Sequence, residues 1–215
     1  REIECGDSVH SVALSSDGAT IVSGEASGKV TLWDAASGEM RRDMQCGDSV
    51  YSVVLLRDGA TIASGDDSRK LTLWDAATGE MRREMQCGGK VRSVALSSNG
   101  ATIVSGDLSG KVTLWDAATG EKRREIQCVG VVCSVAISSD GATIVSGDKR
   151  KNVTLWDAAT GVMRREVQCG GRVHSVALSS NGATIVSGDL TGKVTLWDVA
   201  KGEKRREMKC GGDVN

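Results

Sequence analysis

Cysteine and histidine carry the sharpest chemistry in this chain, and their spacing limits what that chemistry can be. Cys5, Cys46, Cys87, Cys128, Cys169 and Cys210 are each 41 residues from the next, and Cys133 alone stands outside the series. A zinc site needs four close ligands, and neither a histidine nor a second cysteine pair accompanies Cys128 and Cys133. His10 and His174 are the whole histidine complement, so no Ser-His-Asp or His-metal set assembles from them. A glycine-rich phosphate loop leading into a helix is absent. Paired carboxylates occur only as members of a repeat, which marks them as structural. The expectation is a protein without catalysis, cofactor or metal.

The elements that hold these residues follow from the same period. Trp33, Trp74, Trp115, Trp156 and Trp197 are also 41 residues apart, giving units 5–45, 46–86, 87–127, 128–168 and 169–209, with 210–215 starting a sixth. A fixed period of this length marks a repeat architecture. In the third unit "KVRSVALS" reads as a strand and "SSNG" as a turn, the Asn-Gly pair being a hairpin signal. "ATIVSG", "KVTLWD" and "EKRREIQ" read as three more strands, joined by "DLSG" and "AATGE". No helix-period pattern of useful length occurs.

Four short strands per unit with Trp-Asp closing the third, at Trp33-Asp34, Trp74-Asp75, Trp115-Asp116, Trp156-Asp157 and Trp197-Asp198, resembles the WD-repeat β-propeller family. The resemblance covers essentially the whole chain and implies an all-β fold of four-stranded antiparallel blades, five in this chain. Blades of the family bond Trp to a strand-two Ser or Thr, and Ser23, Ser64, Ser105, Ser146 and Ser187 stand ten residues before each Trp. The family's His is replaced by Cys5, Cys46, Cys87, Cys128 and Cys169. Its Asp, six residues before Trp, is replaced by Ser27, Ser68, Ser109, Arg150 and Thr191, while an acid stands two residues earlier: Glu25, Asp66, Asp107, Asp148 and Asp189. A Trp–Ser pair persisting in each blade, with somewhat lower stability, is the expectation. Equivalent cysteines on stacked sheets would be ~10 Å apart, beyond the ~7 Å a disulfide tolerates, so the thiols read as free.

The few letters that change between copies are grouped. His10, Tyr51, Arg92, Cys133 and His174 follow the first-strand Val; Ser8, Ser49, Lys90, Val131 and Arg172 lie two residues earlier; Ala26, Asp67, Leu108, Lys149 and Leu190 lie between strands two and three. All map to one rim of a propeller, the usual protein-binding face in the family. Turns at the opposite end hardly vary, which favours recognition over drift. The expected partners are therefore other proteins or peptides. Binding of RNA or acidic lipid through the basic stretch Lys149 to Lys151 is the alternative reading. Near-identical units also resemble sensor arrays attached to a separate nucleotide-binding or kinase domain. The fourth strand's arginine pairs, each followed at once by Asp or Glu, read as charges guarding a sheet edge.

Composition narrows the partners. Twenty-seven basic against 28 acidic residues give a net charge of −1, which argues against a general polyanion binder. No apolar run is long enough for a spanning helix. The unpaired cysteines suggest a reducing compartment, cytoplasmic or nuclear. Because "REIE" at residues 1–4 aligns with a fourth-strand tail, the expectation is a segment of a longer array, completed by flanking repeats, by self-association or by tight closure of five blades.

Overall fold

In a computed structural model, which describes residues 2–56 and 59–210, the chain forms twenty six-residue strands and five antiparallel sheets of four. The first sheet is β1 (Val9–Leu14), β2 (Thr20–Glu25), β3 (Lys29–Asp34) and β4 (Met40–Gln45). The second is β5 (Val50–Leu55), β6 (Thr61–Asp66), β7 (Lys70–Asp75) and β8 (Met81–Gln86). The third is β9 (Val91–Leu96), β10 (Thr102–Asp107), β11 (Lys111–Asp116) and β12 (Lys122–Gln127). The fourth comprises β13 (Val132–Ile137), β14 (Thr143–Asp148), β15 (Asn152–Asp157) and β16 (Met163–Gln168). The fifth comprises β17 (Val173–Leu178), β18 (Thr184–Asp189), β19 (Lys193–Asp198) and β20 (Lys204–Lys209). Strands in every sheet follow chain order, as hairpin-linked neighbours do. Arg1, part of the second repeat's first turn and the expected start of a sixth unit at 211–215 lie outside the described residues. Two compact units divide the chain, residues 1–94 and 95–215.

Each sheet is apolar on both faces, so it is stable only when sandwiched. In the first unit Val22, Val30, Leu32 and Met44, on what we term the back face of sheet one, pack against Val50, Val53, Ile62 and Trp74 on the front face of sheet two. The second unit repeats this twice. Val104, Val112, Leu114 and Ile126 meet Val132, Val135, Ile144 and Trp156; Val145, Val153 and Leu155 meet Val173, Val176, Ile185 and Trp197. A Trp burying ~150–250 Å² contributes about 4–6 kcal/mol at ~25 cal/mol per Å². Close approach needs glycine on the back face: a Cβ on Gly147 would stand 2.4 Å from Val173 Cγ1. First strands are also tied across the interface, since Val53 N–H donates to Ser11 Oγ and Val176 N–H to Ser134 Oγ, at 3.0 and 3.1 Å.

Inside every sheet the indole Nε1–H donates to the strand-two serine at 2.8–2.9 Å: Trp33 to Ser23, Trp74 to Ser64, Trp115 to Ser105, Trp156 to Ser146 and Trp197 to Ser187. The cysteine continues this chain of contacts. Cys46 Sγ lies 3.4 Å from Ser64 Oγ, Cys128 Sγ 3.8 Å from Ser146 Oγ, and Cys169 Sγ 3.3 Å from Ser187 Oγ. A thiol thus stands beside the serine in place of the family's histidine.

Fourth-strand arginines do more than guard an edge. The first of each pair ion-pairs with the aspartate of Trp-Asp: Arg41 with Asp34, Arg82 with Asp75, Arg123 with Asp116, Arg164 with Asp157 and Arg205 with Asp198. The same aspartates accept N–H groups of the β3–β4-type turn, Ser37 N–H to Asp34 at 2.7 Å being one case. The second arginine reaches the next sheet. Arg42 donates to Thr78 O at 3.0 Å, Arg124 to Thr160 O at 2.8 Å, and Arg165 to Ala200 O at 3.0 Å.

Candidate partner-binding rim

The variable residue that follows the first-strand Val sits, in four of the sheets, where regular pairing is broken. The ladder between first and second strands slips between Val9 and Ser11, Val50 and Ser52, Val132 and Ser134, and Val173 and Ser175. His10, Tyr51, Cys133 and His174 are therefore the extra residues of β-bulges, a device that re-aims a side chain while the strand continues. Nothing in the Val-x-Ser spacing announces a bulge, and sequence reasoning missed it.

The other two variable positions meet beside the bulge. The N–H of the loop residue donates to the carbonyl of the residue before the first-strand Val: Ala26 to Ser8 at 2.9 Å, and Asp67 to Ser49, Lys149 to Val131 and Leu190 to Arg172 at 3.0 Å. The acids Glu25, Asp66, Asp148 and Asp189 pair in register with Val9, Val50, Val132 and Val173, and lie buried beneath these loops. Their carboxylates are consumed locally. Asp66 Oδ1 accepts Ser68 Oγ–H at 2.8 Å and Lys70 N–H at 2.9 Å; Asp148 Oδ1 accepts the N–H groups of Arg150 and Asn152. For Asp189, burial opposes the charge, and the bonds from Thr191, Gly171 and Lys193 outweigh it, so its carboxyl lies below the ordinary range. These acids pin the loops that present the variable residues.

In the first unit three repeats contribute to one cluster. The Tyr51 ring stands 5.3 Å from the His10 ring, tilted by 31°, and Arg92 Cζ lies 4.1 Å from the Tyr51 centroid. That is a cation–π distance. Lys90 ion-pairs with Asp67 beside it. In the second unit the equivalent bulge residues are Cys133 and His174, both half-buried, and Leu108 and Leu190 are half-buried at the loop positions. Lys149, Arg150 and Lys151 border an open hollow of about 560 Å³ shared with Val129, Asn152, Glu166 and Gln168. Lys151 holds a left-handed φ of 75° where the third and fifth repeats place Gly110 and Gly192. Arg69 does the same in the second repeat, at 68°.

A family model described as the IFT122 first beta-propeller matches residues 6–214. The chain belongs to that family. No curated protein matches it. The WD-type repeats and five four-stranded blades are those of a β-propeller, and a propeller of this type suggests a protein-interaction scaffold, generally non-catalytic. The buried thiols agree with that character: burial pushes Cys46 and Cys128 up to about 11, against the lowering effect of the serine contacts. Near neutral pH both stay protonated, and a thiol rather than a thiolate is a poor nucleophile and metal ligand. The propeller's most perturbed carboxylates, Asp34, Asp75, Asp116 and Asp157, are held at about 2 by turn N–H groups and arginine.

Proposed function

We propose that this propeller is a non-catalytic scaffold that docks a peptide or protein segment on the rim bearing Tyr51. The observation that carries the reading is the convergence of His10, Tyr51 and Arg92 from bulge-equivalent positions of three repeats into one stack. Aromatic and arginine side chains dominate binding energy where they are packed and desolvated, and Tyr51 is already half-covered. The half-buried Leu108 and Leu190 extend the reading to the second unit's rim. A reducing compartment, cytoplasmic or nuclear, suits free cysteines that recur in every repeat and are buried at Cys46, Cys87 and Cys128.

The test is to select peptides from a displayed library on the immobilised propeller and measure their affinity by calorimetry. Tyr51→Ala is expected to cost about 2 kcal/mol, roughly 30-fold in Kd, with Arg92→Ala smaller. If peptides kept their affinity for a variant with His10, Tyr51, Arg92 and His174 all changed to Ala, the rim would not be the docking site. A second reading, an acidic ligand on the basic loop, draws support from Lys151, whose left-handed backbone costs ~1–3 kcal/mol in a side-chain-bearing residue. A steep fall of affinity with salt would favour it, and a shallow one the peptide.

A further inference from the structure

We propose that the basic loop of the fourth repeat is a second docking site, in the second unit, for a peptide segment that carries both acidic and basic side chains. The inference rests on the acidic-ligand reading of that loop and names its occupant. A set of substitutions gathered at one place carries it. The fourth repeat reads Lys149, Arg150, Lys151 and Asn152 where the third reads Leu108, Ser109, Gly110 and Lys111. Three of these changes give up something that other repeats keep. Ser68, Ser109 and Thr191 donate a hydroxyl to the buried acid beneath the loop at 2.5–2.8 Å, and Arg150 offers only its backbone N–H there. Lys151 takes the left-handed backbone that Gly110 and Gly192 take without a side chain.

The change to Asn152 alters the charge balance of the hollow. In the other four repeats the lysine that opens the third strand ion-pairs with the fourth-strand acid: Lys29 with Asp43, Lys70 with Glu84, Lys111 with Glu125 and Lys193 with Glu207, at 2.6–3.7 Å. Asn152 is buried instead, donating from Nδ2 to Asp148 Oδ2 at 3.1 Å and accepting from Gln168 Nε2 at 3.4 Å. Glu166 is left exposed with one bond, from Thr154 Oγ1–H at 3.2 Å, and joins no ion pair among the described residues. Nor do Lys149, Arg150 and Lys151, all three exposed. The hollow of about 560 Å³ is thus lined by three unpaired cations and one unpaired carboxylate. Val129, 70% exposed where the other repeats have Gly6, Gly47, Gly88 and Gly170, adds an apolar contact. A mixed-charge peptide meets all of these at once. Its Asp or Glu takes the loop cations, with Arg150 suited to a bidentate bond, and its Lys or Arg takes Glu166. A phosphate backbone or an anionic membrane surface sets like charge against Glu166, and such contacts select against a partner.

The test uses a loop graft, Lys149→Leu, Arg150→Ser, Lys151→Gly and Asn152→Lys together, which gives the fourth repeat the third repeat's loop. Short peptides from a random displayed library are depleted on the graft, selected on wild type and measured by calorimetry beside oligouridine and phosphatidylserine vesicles. The surviving peptides are expected to carry Asp or Glu together with Lys or Arg. Arg150→Ser alone should weaken them about tenfold. Glu166→Gln should weaken them as well, and Tyr51→Ala should leave them unchanged. No surviving peptide, survivors without an acid, full affinity after Arg150→Ser or Glu166→Gln, loss of binding with Tyr51→Ala, or tighter binding of oligouridine than of the peptides would each overturn the proposal. If oligouridine or the vesicles bind wild type and not the graft while no peptide survives, the loop still takes an acidic ligand and only the peptide is wrong. If none of the three probes tells wild type from graft, the acidic-ligand reading falls as well. Tryptophan fluorescence checks folding, and Lys149→Ala with Arg150→Ser replaces a graft that does not fold, with the same outcomes required.

Discussion

Ser146 shows how one side chain is spent three ways: it lies in β14, accepts the Trp156 indole N–H at 2.8 Å, and touches the Cys128 thiol. Removing the hydroxyl leaves a buried indole donor without a partner, a loss of about 1–3 kcal/mol. Ser146→Ala is therefore expected to lower the urea unfolding free energy by that amount, while the Trp156 fluorescence of the folded state shifts because its donor bond is gone. The Trp and Ser positions were legible from spacing alone, since ten residues across one hairpin place them side by side: Ile144 pairs with Trp156 and Ser146 with Thr154. The cysteine's part was not. In sequence it is 18 residues from Ser146, and only folding of the previous fourth strand's exit brings its sulfur to the serine.

At the scale of the element, the turn between third and fourth strands is held by one aspartate that bonds backbone and arginine together. Turn N–H groups contribute most at Asp34 and Asp116, through Ser37 and Thr119, followed by Arg41 and Arg123. At Asp75 and Asp157 the order reverses, Arg82 and Arg164 leading and the Thr78 and Thr160 N–H groups following. All four are held at about 2, below the ~3.9 of an unfolded aspartate. A depressed folded value means the stabilisation is complete above about pH 4 and is lost as pH falls to about 2. Urea midpoints measured through that window should fall steadily. Asp116→Asn combined with Asp157→Asn should flatten the slope, because two of the titrating groups are gone. The arginine pairs were visible as charges, but their partners lie seven residues back and in the next sheet, so spacing alone assigned them to edge protection.

For the whole molecule, position along the repeat array decides what identical residues do. Val12 and Val53 are the same residue at equivalent places, one 67% exposed and the other 3%. Val53→Ala removes two methyl groups from a packed interface and is expected to cost about 2 kcal/mol. Val12→Ala should stay within about 0.5 kcal/mol. Guanidinium or urea melts of the two variants, run side by side, make the comparison. Equal losses would mean that the first sheet's front face is as buried in solution as the second's.

The sequence by itself determined the repeat, the four-strand sheet, the tryptophan-bearing faces and the cluster of variable positions, because these depend on local periodicity and on comparing five copies of one unit. It placed strand ends within a residue: "KVTLWD" at 111–116 is β11 as read. Tertiary structure alone decided that the variable residue after the first-strand Val sits on a bulge, that Arg92 lies over Tyr51, and that Val53 is buried while Val12 is exposed. Each of these depends on what stands opposite in another strand, repeat or sheet, and a pattern that repeats identically along the chain carries no record of which copy has a neighbour.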